Sequence, residues 1–363
     1  MHQSLMERAN CLNLLIKYKL LSYDELTSKS YEGGFFVYNQ PEVALEQYEL
    51  EVIQMTKTRA GYWCETDKGH FLLKPCTGSA NRVEILAKML KDLGSSGFEA
   101  EEIVYTKEGS PIARDDWEIS YILKSTFQGR ECNPADIKDV CRAMEELASF
   151  HRNSPCGQCP DYMKESMAKY LIHWQRHNRE LIKLRNYLRT RKNKNNFELQ
   201  VMNSFDYFYS QGKAVEEWVN SLKMTEDYEG EIMGWCHHDY NFHNVIFTGT
   251  QGHIINFENA VLGIRVSDIA AFLRKVMEKN NWQVEMAQRM LESYKSLRPL
   301  SQLEFQILGK MIQYPEKFWK VCNRYYNSNK AWGSERYMEK LEKIIEQEPQ
   351  RVVFLEKIFS IIC

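Results

Sequence analysis

The segment Gly234-Trp-Cys-His-His-Asp-Tyr-Asn-Phe-His-Asn-Val-Ile-Phe247 is rich in polar side chains yet ends in an apolar run. Within it Asp239 and Asn244 stand five positions apart. A carboxylate and an amide at that spacing suit phosphoryl transfer. One carboxylate accepts the proton of an attacking hydroxyl, while an Asn oxygen and an acidic oxygen from the next turn hold magnesium on the nucleotide phosphates. Hard oxygen donors suit that cation. The bland alternative is an ordinary polar turn between two strands. His237 and His151 read more simply as structural hydrogen bonders, and His243 fits either role. Cys156 and Cys159 have chelating spacing, but no second ligand pair accompanies them, so they read as a plain loop pair and not as a metal site.

The elements around this loop must aim it at a cleft. Val245-Ile-Phe247 reads as a strand, Gly249-Thr-Gln-Gly252 as a turn, and His253 to Phe257 as a second strand. Upstream, Pro41 opens a helix running to about Tyr48, because proline suits a first helical position. Three short strands follow, marked by Val52, Ile53 and Met55, by Tyr62 and Trp63, and by Phe71 to Lys74. Arg59-Ala60-Gly61 and Asp67-Lys68-Gly69 turn between them. A helix then carries Val83, Ile85, Leu86, Met89, Leu90 and Leu93 on one side and stops at Gly94-Ser-Ser-Gly97. Ile103 to Thr106 and Trp117 to Leu123 are two more strand candidates. Residues 41–124 thus read as a small mixed sheet with one helix, and residues 125–132 as a linker. Asn133 as N-cap and Pro134 as first helical residue start a long helix. From there to Cys363 the apolar spacing is helical almost throughout, residues 234–260 excepted. Residues 1–40 read as an N-terminal extension with a short helix through Leu12, Leu14, Leu15 and Leu20. The basic stretch Arg185 to Asn196 reads as a solvated loop, and Asp268 as the cap of a helix beginning just after it.

Composition bounds the partners. The 363 residues, at about 150 per domain, make two lobes or one large domain. Forty-seven basic against 49 acidic side chains leave a formal charge of −2, which gives no long-range attraction to nucleic acid or an anionic membrane. Only 18 glycines and nine prolines argue for a helix-rich chain and against low-complexity disorder. No apolar run is long enough for a membrane span, and the first ten residues lack a basic-then-apolar leader, so the chain is expected to be made in the cytosol.

A resemblance sharpens this. His237-His238-Asp239 followed by Asn244 is similar to the H-G-D-x-x-x-x-N loop of the aminoglycoside-phosphotransferase and choline-kinase-like superfamily, with His238 where that superfamily has Gly. Ile255-Asn256-Phe257-Glu258 resembles its I-D-F/W-[DE] stretch, and Asp268 its downstream loop-bracing Asp. Leu45 to Leu50, Thr66-Asp-Lys-Gly69, Leu72-Leu-Lys74, Phe272 to Lys279 with Trp282, and Tyr314-Pro-Glu-Lys-Phe-Trp-Lys320 with Arg324-Tyr-Tyr326 look like the CotS-type branch of bacterial spore-coat proteins. The resemblance spans residues 41 to about 358.

It implies an α+β, protein-kinase-like fold: a sheet-bearing N-lobe over 41–124 and a helical C-lobe over 133–363. It implies ATP and Mg2+ as cofactors, with Asp239 as general base and Asn244 as a metal ligand. Lys74 would reach the phosphates, with Glu84 as its partner, and Arg59 and Gly61 would lie in the phosphate-covering turn. His237 and Asp268 would brace the loop. The second metal ligand is an Asp in active members and Asn256 here, so Glu258 must substitute or the site loses an anionic ligand. The function implied is a kinase-like component of the spore coat, made in the mother cell, with weak or absent phosphotransfer and other coat proteins as partners. The alternatives are a working kinase for a hydroxyl of a sugar or amino-alcohol acceptor, and a purely structural coat protein.

Overall fold

The computed structural model describes residues 40–58, 60–154, 159–222, 230–327 and 334–362. The extension helix expected around Leu12, and the residues Arg59 and Cys156, lie outside them. Within 41–363 the chain opens with the short helix α1 (Pro41–Leu45), which ends three residues sooner than its proline start suggests. Then come β1 (Val52–Lys57), β2 (Tyr62–Thr66) and β3 (Gly69–Pro75), the helix α2 (Ala80–Ser95), and the strands β4 (Ile103–Val104), β5 (Ala113–Arg114) and β6 (Ser120–Ser125). The sheet runs β1-β2-β3-β6-β4, with β5 also on β6. Every pairing is antiparallel. The expected mixed sheet is therefore wrong in sense: the only crossover long enough to return a strand in parallel is α2, and the chain leaves it for the far side of β6 instead.

The register of β3 against β6 decides what the cleft contains. Leu72 pairs with Lys124, Leu73 with Leu123 and Lys74 with Ile122. Directly opposed residues share a face, and faces alternate along a strand. Leu73 and Leu123 therefore join Tyr48, Cys64, Ala113 and Tyr121 in the core on one side. Lys74 and Lys124 stand diagonally on the other. That second side is covered by α2, whose Val83 packs with Ile112 and Ile122. Ser79 caps α2 by accepting from the Arg82 amide, and Gly97, at φ 86°, turns the chain away after it.

The expected linker contains a strand of its own, β7 (Arg130–Glu131). It pairs with β10 (Val245–Thr248), which also pairs with β11 (Gln251–Ile254). A Cβ on Gly129 would stand 2.4 Å from the Phe247 carbonyl oxygen, so only glycine lets the linker lie this close to β10. Helix α3 runs over Ile137–Asn153 with Asp136 as N-cap. Asn133, expected as the cap, instead makes a local turn, its side chain accepting from the Ala135 amide. Proline after Asn133 fixes a turn there, and the helix begins one turn later.

Helices α4 (Met167–Thr190) and α5 (Asn196–Ser221) follow. The first half of the Arg185 stretch expected as a loop, residues 185–190, is the end of α4, because Leu184 and Leu188 give that helix a buried side; residues 191–195 form the expected loop. A third sheet joins β8 (Lys164–Glu165), β12 (Val261–Ile264) and β9 (Met233–Cys236). The non-helical interval thus extends past residue 260. Helices α6 (Val266–Lys279), α7 (Val284–Leu297), α8 (Gln302–Gln313), α9 (Glu316–Asn327) and α10 (Ser334–Phe359) complete the chain. One core runs from α2 through α3 and the two small sheets to α7 and α8. Among the described residues, no helix is long and apolar enough to cross a membrane.

Candidate active site

The polar loop hangs between β9 and β10; β10 matches the expected strand Val245–Phe247, while β9 has no counterpart in the sequence reading. Asp268 fastens it. Its carboxylate is buried and accepts the backbone N–H of His237 at 2.6 Å and of His238 at 2.8 Å. His151 reaches the same carboxylate through Nε2 at 3.3 Å, and its Nδ1 lies 2.7 Å from the Tyr294 hydroxyl. Burial pushes the His151 pKa down, so the ring is neutral, with Nε2–H donating to Asp268 and Nδ1 accepting from Tyr294. Burial alone would raise the Asp268 pKa, but the donors around it hold it below the ordinary value. Asp268 lies in the first turn of α6, and its carboxylate is spent on the loop; the helix begins at Val266, ahead of it, which corrects the expected capping role.

His237 carries the fastening inward. It accepts from the Asp239 amide at Nδ1 and donates Nε2–H to the Ile255 carbonyl, at 3.2 and 2.8 Å. The residue before Asn256 is thereby tied to the residue before His238. His238 sits at φ 62°, a left-handed conformation that costs a non-glycine residue roughly 1–2 kcal/mol and explains why glycine would suit the position.

Asn256 is also left-handed, at φ 68° and ψ 53°, a region asparagine tolerates better than most residues. Here the second strand ends, at Ile254 and not at Phe257 as the apolar pattern suggests. A short 3₁₀ turn over Phe257–Asn259 follows. The turn brings Glu258 to the same side as the Asn256 amide. Lys74 lies 3.3 Å from Glu258 and donates to Asn256 Oδ1 at 3.3 Å. The expected partner, Glu84, accepts instead from the Tyr105 hydroxyl at 3.0 Å. Its place on α2 points it along the outside of the sheet, and Arg82 is the α2 residue that reaches this turn, donating to the Glu258 and Ala260 carbonyls. Gly61, at φ 148°, holds the β1–β2 turn against β3, where a Cβ would lie 2.5 Å from the Leu73 carbonyl.

The sequence reading missed two residues. Lys124 is only 1% exposed. It donates to Asn256 Oδ1 at 2.9 Å, to Glu258 at 2.6 Å and to Glu101 at 3.1 Å. Glu101 also accepts the amides of Asn256 and Phe257, each at 3.0 Å. The only sequence signal was a lysine at the end of an otherwise apolar strand, Tyr121-Ile-Leu-Lys124. Burial opposes the charge on Lys124, yet Glu101 and Glu258 hold its pKa above the ordinary lysine value. Burial likewise opposes the charge on Glu258, but the two lysines bring its pKa down to about 2.

From Asn256 the bonding continues outward. Its Nδ2 donates to Asn244 Oδ1 at 2.8 Å, and Asn244 Nδ2 donates to the Asp239 carbonyl and carboxylate at 2.9 and 3.3 Å. The ends fix every amide in this chain. Ammonium groups only donate and a carboxylate only accepts, so donors run in one direction from the lysines to Asp239. Asp239 is 45% exposed, held also by Asn241, with Lys275 at 3.6 Å. The expected residues Lys74, Asp239, Asn244, Asn256 and Glu258 are thus joined in one network.

The donor set does not offer a divalent cation its ligands. Magnesium needs open oxygens in near-octahedral array. Asn256 Oδ1 faces two ammonium groups, Asn244 Oδ1 faces an amide N–H, and Glu258 is paired to both lysines. The arrangement does not fit that cation. Among the described residues, no group of three or more His, Cys, Asp or Glu side chains forms a metal site. Cys159 is buried, which pushes its thiol pKa up.

Residues 42–358 match the family described as "Spore coat putative kinase YutH". The chain belongs to this family. It is also 23% identical over 331 residues to spore coat protein S of Bacillus subtilis (strain 168), covering 86% of this chain and 91% of that one. Among solved structures it resembles an aminoglycoside phosphotransferase from Alicyclobacillus acidocaldarius, with a TM-score of 0.77 at 19% identity over 92% of this chain and 98% of that one. It also resembles a spectinomycin phosphotransferase solved with ADP and spectinomycin, with a TM-score of 0.60 at 14% identity over 84% and 92% of the two chains. An amicoumacin kinase solved with AMP-PNP and Ca2+ has a TM-score of 0.52 at 14% identity over 98% and 96%. The fold is therefore the kinase-like α+β fold of these phosphotransferases.

Proposed function

We propose that this protein is a spore-coat component on a kinase fold that binds a nucleotide beside Lys74 and transfers its phosphoryl group weakly or not at all. It is made in the mother cell and ends in the coat among other coat proteins. The observation that carries this reading is Asn256. At the position of a metal-binding carboxylate stands an amide whose oxygen is held by two lysines and whose nitrogen is spent on Asn244. Lys74 supplies positive charge for phosphate. Asp239 is fixed by two asparagines and stands where a hydroxyl proton can be accepted.

That accessible Asp239 supports the second reading, an active ATP-dependent kinase for a sugar or amino-alcohol hydroxyl. A phosphotransferase and a kinase of similar fold have been solved with nucleotides, which supports ATP as the ligand. Titration calorimetry with ATP, followed by turnover with labelled ATP and a panel of amino-alcohols, separates the readings. The proposal expects ATP binding that Lys74→Met weakens at least about tenfold, with turnover near background. Rapid acceptor-dependent turnover establishes the active kinase. An absence of ATP binding, unchanged by Lys74→Met, establishes a purely structural coat protein.

A further inference from the structure

Lys124 has three ammonium protons and three acceptor groups: Glu101, Asn256 Oδ1 and Glu258. A lysine this deeply buried persists only when its charge is compensated and its donors are used. Both conditions are met here, so the side chain is a permanent internal cation. The register of β3 and β6 sets it beside Lys74. Lys74 is the outer ammonium, at 15% exposure. Together they bring two positive charges to within 3.3 Å of the amide oxygen of Asn256. Glu101 and Glu258 balance the two ammonium groups one for one, so the cluster needs no divalent cation to be neutral, at a position where the oxygen donors do not suit such a cation.

We infer that this protein binds nucleotide phosphates without a divalent cation, with Lys74 as the phosphate contact and Lys124 as the built-in cation that holds Glu101 and Glu258 when Lys74 turns to the phosphate. The inference rests on the nucleotide-binding reading above. Glu258 makes the exchange feasible. It holds Lys74 at 3.3 Å and Lys124 at 2.6 Å, so when a phosphate oxygen takes over Lys74, Glu258 keeps the closer partner and is not left as a lone buried charge. The amide at Asn256 belongs to the same arrangement. A carboxylate there could accept from the lysines but could not donate to Asn244, and the one-way chain to Asp239 would break.

The test is titration calorimetry of the full chain with ATP, once in EDTA and once in excess MgCl2. The expected result is affinities equal within about twofold. The variant Lys124→Met leaves Glu101, Glu258 and Asn256 Oδ1 without their cation. It is expected to lose at least about tenfold in ATP affinity in EDTA and to regain it with MgCl2. Far-UV circular dichroism reports whether the variant folds; if it does not, the wild-type comparison decides by itself. Wild-type binding that requires MgCl2, or is tightened by it about tenfold or more, overturns the inference and leaves the nucleotide reading standing. A folded Lys124→Met that binds ATP in EDTA as tightly as wild type also overturns it. An absence of ATP binding in both buffers overturns the inference and the nucleotide reading together.

Discussion

Replacing Asp268 by asparagine changes one oxygen to an NH2 group and almost nothing in volume, so its effect isolates hydrogen bonding. In the wild type one carboxylate oxygen accepts the His238 amide, and the other accepts the His237 amide and His151 Nε2–H. Asparagine can accept on one side only. The less costly orientation keeps its oxygen toward His237 and His151 and turns the NH2 against the His238 N–H. The His238 N–H is only partly buried, so losing its acceptor costs about 1–2 kcal/mol, the lower part of the range for an unsatisfied donor. The two bonds that remain lose their charge assistance, from about 1.5–3 to about 0.5–1.5 kcal/mol each. Together the change should destabilise the fold by about 3–5 kcal/mol. Urea denaturation of both proteins, followed by tryptophan fluorescence, measures it. Because the loop bearing Asp239 hangs on these bonds, ATP affinity should fall in the folded variant as well. A loss under about 1 kcal/mol, within the range of an ordinary surface change, would refute the claim that this carboxylate fastens the loop.

Three further outcomes follow from the same geometry. His238→Gly removes the left-handed strain of an exposed side chain while keeping the N–H that Asp268 holds; offset by glycine's larger unfolded-state freedom, it should stabilise the protein by about 0.5–1 kcal/mol in the same urea assay. Glu258 has a folded pKa of about 2 against an ordinary 4.5, so it contributes stability that is fully present above pH 4.5 and is lost as pH falls toward 2; acid unfolding of Glu258→Gln should show a shallower slope over that window. Glu84→Gln should leave ATP affinity within about twofold of wild type, since Glu84 bonds Tyr105 and Lys74 is held by Glu258; a loss matching that of Lys74→Met would restore the expected Lys74–Glu84 pair.

The sequence by itself determined the parts that depend on neighbours along the chain. The polar loop of Asp239 and Asn244 ahead of an apolar strand, the strand ending near Lys74 and the helix after it follow from alternation, periodicity and turn residues. Each is a local preference that the fold did not overrule. The resemblance of the loop and of the Tyr314-Pro-Glu-Lys-Phe-Trp segment to spore-coat proteins likewise needed only the order of residues, and the family match over residues 42–358 agrees with it. What tertiary structure alone decided is who faces whom across elements. Periodicity says that Lys124 shares a strand with Leu123, but only the register against β3 puts it next to Lys74. The apolar pattern ran a strand to Phe257, in which Glu258 would stand two strand rises, about 7 Å, beyond Asn256. The left-handed turn at Asn256 breaks that strand and swings Glu258 onto both lysines. Glu101, Lys124, Asn256 and Glu258 are each unexceptional in their own stretch of chain. They become one bonded cluster only because separate strands and a loop converge on a largely buried space, where each charge must find its opposite.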